Sequence, residues 1–129
     1  MGHWSDITDA ELDIMKALWK TGPTTSPAIF AAMETERSRH IGTNKTLLTR
    51  LVQKGAIKRE ALNSRNYIYS PAISEEAYAN ENRRWTIEKV FNGNAMEMLA
   101  SLIKYEKITR EDIDLVFAQN SKRNRKERK

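Results

Sequence analysis

Apolar residues recur along this chain first with a helical period, then with a period of two, then with a helical period again. The first stretch opens on Thr8-Asp9-Ala10-Glu11, a capping box, with Ile7 placed to staple onto Leu12. Leu12, Met15, Leu18 and Trp19 then give one buried stripe, and Thr21-Gly22-Pro23 stops the helix. A second start follows at Thr25-Ser26-Pro27. Ser26 is expected as the N-cap and Pro27 at the first helical position, where its missing N–H costs nothing. Ile29, Phe30 and Met33 supply the apolar side of a helix reaching to about Glu36.

The rest of the chain is organised around Thr43–Gly55. At about 100° per residue, Leu47, Leu48, Leu51 and Val52 share one flank of a helix, and Thr43, Thr46, Thr49, Arg50 and Gln53 share the other. Gly55 stands just past the last periodic residue, where a left-handed C′ geometry ends helices. Asn44 falls amid the apolar flank and is expected to satisfy backbone N–H groups at the helix start. After Gly55 the period becomes two. Ala56–Glu60 and Arg65–Tyr69 read as strands joined through Leu62-Asn63-Ser64, with Pro71 ending the second. Tyr67 and Tyr69 share a strand face and are expected in the core.

From Ser74 the chain is helical again. Ser74 caps a helix running through Asn92 with Tyr78, Trp85, Val90 and Phe91 among its apolar residues, and Gly93 interrupts it. Ala95, Met98, Leu99, Leu102 and Ile103 then recur at i, i+3, i+4, i+7 and i+8. A last short helix begins at Thr109 and carries Ile113, Val116 and Phe117. Such an extension, lacking a closed core of its own, finds cover either on an identical subunit or on the N-terminal part of its own chain. The first is the expectation. The fold class is thus mainly α with a small β-wing: a winged helix-turn-helix domain over 1–72, a helical dimerisation domain over 73–121, and a basic tail over 122–129 expected to be disordered.

Charge sharpens this picture. The net +5 is unevenly spread: residues 37–70 hold eight basic and one acidic side chain, and the last eight residues hold six basic and one acidic. The positive block coincides with the organising helix and the hairpin, an electrostatic footprint for a polyanion. A short turn between two helices, followed by a hairpin with a basic tip, is a winged helix-turn-helix, and its partner class is double-stranded DNA. The candidate contacts are Thr43, Lys45, Thr46, Thr49, Arg50 and Lys54 on the organising helix. Arg39 lies in the turn before it, Thr25 at the second helix start and Arg65 in the wing, which Lys58 and Arg59 flank. Thr25 and Ser26 also read as plain caps, and the outer helical face also reads as an ordinary solvated one.

Other classes find less support. The chain has no cysteine and two well-separated histidines, His3 and His40, with no nucleophile elbow, phosphate loop or metal-ligand spacing. No enzyme chemistry, cofactor or metal is therefore expected. No apolar run approaches the roughly 18 residues of a membrane span, so no membrane insertion and a cytoplasmic location are expected. A winged helix used only to bind protein is the rival.

Four segments, DAELDIMKALW (9–19), TLLTRLVQKGA (46–56), YIYSP (67–71) and EKVFNG (88–93), resemble the penicillinase-repressor family of BlaI/MecI type in order and spacing. The resemblance implies a homodimeric winged-helix repressor of β-lactam-resistance genes, bound to a pseudo-palindromic operator through positions matching Thr43, Thr46, Arg50 and Arg65. A different regulon within the same family is the alternative. Three departures stand out. Arg39-His40-Ile41-Gly42-Thr43 occupies the place of the family's usual Trp-Ser-Pro-Lys-Thr. The bond that a membrane sensor protease cuts in inducible members aligns with Ser101-Leu102. The paired cysteines of the copper-responsive branch have no counterpart here.

Overall fold

A computed structural model describes residues 6–33 and 41–127, without the side chains of Ile41 and 122–127. Its elements run α1 (Asp9–Thr21), α2 (Ser26–Ala32), α3 (Ile41–Gln53), β1 (Ile57–Ala61), β2 (Tyr67–Pro71), α4 (Glu75–Lys89), α5 (Ala95–Tyr105) and α6 (Arg110–Glu127). The chain forms two compact units, residues 1–85 and 86–129. The first therefore reaches beyond the boundary expected after residue 72.

In the first unit, α1 begins with both halves of its capping box. The Glu11 N–H donates to Thr8 Oγ1 (3.1 Å) and the Thr8 N–H to Glu11 Oε1 (2.9 Å). Its inward side is Glu11, Ile14, Met15, Ala17 and Leu18, while Leu12 and Trp19 lie at the core's edge. Trp19 is fixed there because its indole N–H donates to the Ile73 carbonyl (2.9 Å) and its ring packs on Tyr78 (centroids 5.4 Å). Tyr78, expected at a dimer interface, is thus accounted for by packing within the first unit.

The α2 start is one residue earlier than expected. The Thr25 carbonyl already accepts the Ile29 N–H (3.1 Å), so Thr25 is the N-cap and Ser26 lies inside the helix. Met33, with ψ 118°, terminates α2 after Ala32, and the expected end at Glu36 lies outside the described residues.

Leu47, Leu48 and Leu51 of α3 close the core over Ile14, Leu18 and Ile29, joined by Ala56 and Ile57 at the start of the hairpin. The end of α3 is a Schellman motif. Gly55 (φ 81°) donates to Val52 O (3.1 Å) and Ala56 to Leu51 O (3.0 Å), turning the chain straight into β1. The strands pair antiparallel from Ile57↔Pro71 to Ala61↔Tyr67, so Pro71 belongs to the ladder rather than ending it. Tyr69 also bridges to Thr24, with N–H···O bonds of 2.8 and 3.0 Å. This second backbone partner of Tyr69, beside Arg59, ties the base of the wing to the α1–α2 connection.

In the second unit, Asn94 caps α5 by accepting from the Glu97 N–H (3.1 Å). Thr109 and Asp112 cap α6 reciprocally (2.9 and 3.1 Å), and the Thr109 N–H, with the Thr109 hydroxyl, holds the Asp112 carboxyl below its usual pKa. The last helix is not short: α6 continues to Glu127, so residues 122–127 of the tail expected to lack order are helical, and residues 128–129 lie outside the described residues. Lysine and arginine are good helix formers, and cations favour a helix C-terminus.

Candidate nucleic-acid interface

The site is built on α3. With Leu47, Leu48 and Leu51 turned inward, the 3.6-residue period leaves Thr43, Lys45, Thr46, Thr49, Arg50 and Gln53 exposed, as their spacing predicts. Lys45, Thr46, Thr49, Arg50 and Gln53 line one open concavity of about 320 Å³. Among the described residues, no carboxylate lines it. Within it, the Thr46 hydroxyl donates to Gly42 O (3.0 Å) and the Thr49 hydroxyl to Lys45 O (2.9 Å). Each threonine therefore presents lone pairs and a methyl outward while its proton stays on the helix. Such groups suit base-edge amines and thymine methyls, whereas Lys45 and Arg50 bring the cationic donors that phosphate and guanine require.

Asn44 does not satisfy the helix start as expected. Its side chain is buried, and its Oδ1 finds no partner among the described residues. Arg39 and most of the turn before α3 lie outside those residues. Thr25 is placed as the α2 N-cap and makes no side-chain capping bond.

Lys54 has partners within its own chain. Its ammonium lies 2.6 Å from Glu11 Oε1 and 2.7 Å from the Asp6 carbonyl. Glu11 is only 1% exposed. The pair joins the C-terminal end of α3 to the N-terminal cap of α1. Burial pushes the Glu11 carboxyl up, but the Lys54 ammonium and the Thr8 N–H and hydroxyl outweigh it and hold its pKa below the usual value. No local pattern reveals this partnership, because the two residues stand 43 positions apart.

The wing carries Lys58, Arg59 and Arg65, all exposed. Its tip is folded by Asn63, whose Oδ1 accepts the N–H groups of Arg65 and Asn66 (3.0 Å each), an Asx-type turn that places Arg65 at the apex. Tyr69 is half-buried against the core, but Tyr67 is not a core residue. The hairpin overhangs the core at that end, and Tyr67 meets the Arg59 guanidinium instead (4.5 Å).

Trp85, Val90, Leu99, Ile103, Val116 and Phe117 are exposed, while Phe91, Met98, Leu102 and Ile113 are half-buried. Ser101 and Leu102 sit inside α5, where the Ser101 hydroxyl donates to Met98 O (2.7 Å). A cut at that bond requires the helix to open locally.

Comparison with known proteins decides what this geometry belongs to. The penicillinase repressor family profile matches residues 7–119. The chain belongs to the penicillinase repressor family. It is 25% identical over 111 residues to the penicillinase repressor of Bacillus licheniformis, covering 86% of each chain. It is also 25% identical over 109 residues to the methicillin resistance regulatory protein MecI of Mammaliicoccus sciuri (84% of this chain, 88% of that one). The solution structure of the DNA-binding domain of the repressor BlaI superposes with a TM-score of 0.51 at 31% identity, covering 60% of this chain and 94% of that one. This penicillinase-repressor relative is thus a winged-helix transcriptional repressor and not an enzyme. Among the described residues, no helix is long and apolar enough to cross a membrane.

Proposed function

We propose that this repressor binds as a homodimer to a pseudo-palindromic operator and blocks transcription by covering a promoter. The observation that carries the reading is the acid-free outer face of α3, with Thr46, Thr49 and Arg50 around one concavity. Two such helices, held by the second units, enter successive major grooves about 34 Å apart on one face of the DNA. Arg50 makes the charge-assisted contact, Thr43 and Thr46 fix register, and Arg65 in the wing reaches a phosphate. The uncovered apolar residues of α5 and α6 support the dimer, because a stripe of this kind is stable only when something removes it from water. The matches to penicillinase and methicillin-resistance regulators support β-lactam-resistance genes as the regulon. Repression is relieved by whatever separates the subunits, and a membrane sensor protease acting in α5 is one such agent.

The test is Arg50→Ala in a gel-shift titration against a duplex selected by the wild-type protein from a randomised pool. Binding is expected to weaken by about 1–3 kcal/mol, roughly 5- to 150-fold, with preference relaxed at one base position of each half-site. An unchanged midpoint would remove α3 from the interface.

A further inference from the structure

The wing holds one arginine in a prepared position. In the hairpin register Arg59 pairs with Tyr69 and Ala61 with Tyr67, so Arg59 and Tyr67 are diagonal neighbours on one face, within reach of each other. The residue directly opposite Tyr67 is Ala61, whose methyl is too short to cover an aromatic ring. The guanidinium carbon of Arg59 fills that place, 4.5 Å from the ring centroid. Tyr67 stays 39% exposed, beyond the core that receives Tyr69, and its ring lies 6.5 Å from that of Tyr69. The strand order therefore builds a shelf at the free end of the hairpin, outside the packed interior.

We infer that Tyr67 is a positioning residue for a phosphate contact made by Arg59. The inference rests on the DNA-binding reading above and adds a phosphate subsite to it. An arginine free in solvent loses side-chain entropy when it grips a phosphate; one already resting on an aromatic face has lost part of it beforehand. The guanidinium carbon lies over the ring, and a guanidinium that rests flat on that face keeps its in-plane N–H donors for two phosphate oxygens. The contact reads no base, so it strengthens binding to every duplex alike.

The experiment titrates the full-length chain with a mixed-sequence DNA duplex at several salt concentrations, for wild type and for Tyr67→Leu, Tyr67→Phe, Arg59→Ala and the Tyr67→Leu/Arg59→Ala double variant. Tyr67→Leu is expected to weaken binding roughly two- to tenfold, the scale set by the cost of ordering one rotamer-rich side chain. Arg59→Ala is expected to weaken it further and to lower the salt slope by about 0.9, the value of one phosphate contact. Tyr67→Phe keeps the ring and should restore wild-type binding. In the Arg59→Ala background, Tyr67→Leu should cost nothing more. Thermal melts of each variant show that the hairpin survives. Full additivity of the two substitutions, failure of phenylalanine to rescue, or an unchanged slope in Arg59→Ala would overturn the inference while wild-type binding stood. Loss of salt-dependent binding by the wild-type chain would overturn the underlying DNA-binding reading instead.

Discussion

Replacing Lys54 with methionine is expected to destabilise the winged helix by about 2–3 kcal/mol in urea denaturation. Removing one partner of a fully buried pair costs about 3–5 kcal/mol. The figure here is lower because about a third of the Lys54 side chain meets solvent. The methionine variant leaves Glu11, almost wholly buried, with only the bonds from Thr8. Because the Glu11 pKa is lowered on folding, its ionised form stabilises the fold above the usual carboxylate range. That contribution is lost as pH falls through the lowered pKa. The gap between wild type and Lys54→Met should therefore be full at neutral pH and narrow once Glu11 takes up a proton. A destabilisation below about 0.5 kcal/mol would place the pair among ordinary surface ion pairs. The same variant should keep the wild-type salt slope for DNA, since an ammonium held on Glu11 is not on a phosphate.

Replacing Phe117 with aspartate is expected to break the proposed dimer and cost operator binding on the order of 10²–10³-fold, the scale on which a second tethered site contributes. Phe117 is 68% exposed within its own chain. A carboxylate there disturbs little of the single-chain fold, and its penalty falls on whatever would bury the ring. Sedimentation should show a monomer whose circular dichroism matches wild type and whose residual binding remains salt-dependent. A variant that stays dimeric would move the interface away from this face of α6.

The parts of the fold that were legible in the sequence are those set by local periodicity. Leu47, Leu48 and Leu51 fix which side of α3 is buried, so the outward row of Thr43, Thr46, Thr49 and Arg50 follows from helix geometry alone. The capping box at Thr8 and the glycine stop at Gly55 are local in the same sense. What escaped depends on distance along the chain. Lys54 looks like one more cation on a basic helix until α1 brings Glu11 to it. Tyr67 and Tyr69 carry the same alternation signal, yet the core ends between them, and only the hairpin's overhang separates a packed ring from an exposed one. Trp19 claims Tyr78 through the turn at Ile73, which no periodic pattern on α4 could reveal. Asn44 departs differently: its angle on α3 correctly placed it inward, but its buried carbonyl oxygen finds no backbone partner among the described residues.

The central claim is that two copies of the α3 face meet duplex DNA together. Its most direct measurement is the dependence of duplex affinity on salt for the full-length chain, with protein–DNA stoichiometry determined in the same titration. Two chains per selected duplex are expected, with log K falling against log salt at a slope steeper than about −4, as several neutralised phosphates require. One chain per duplex, or an affinity indifferent to salt, would contradict it.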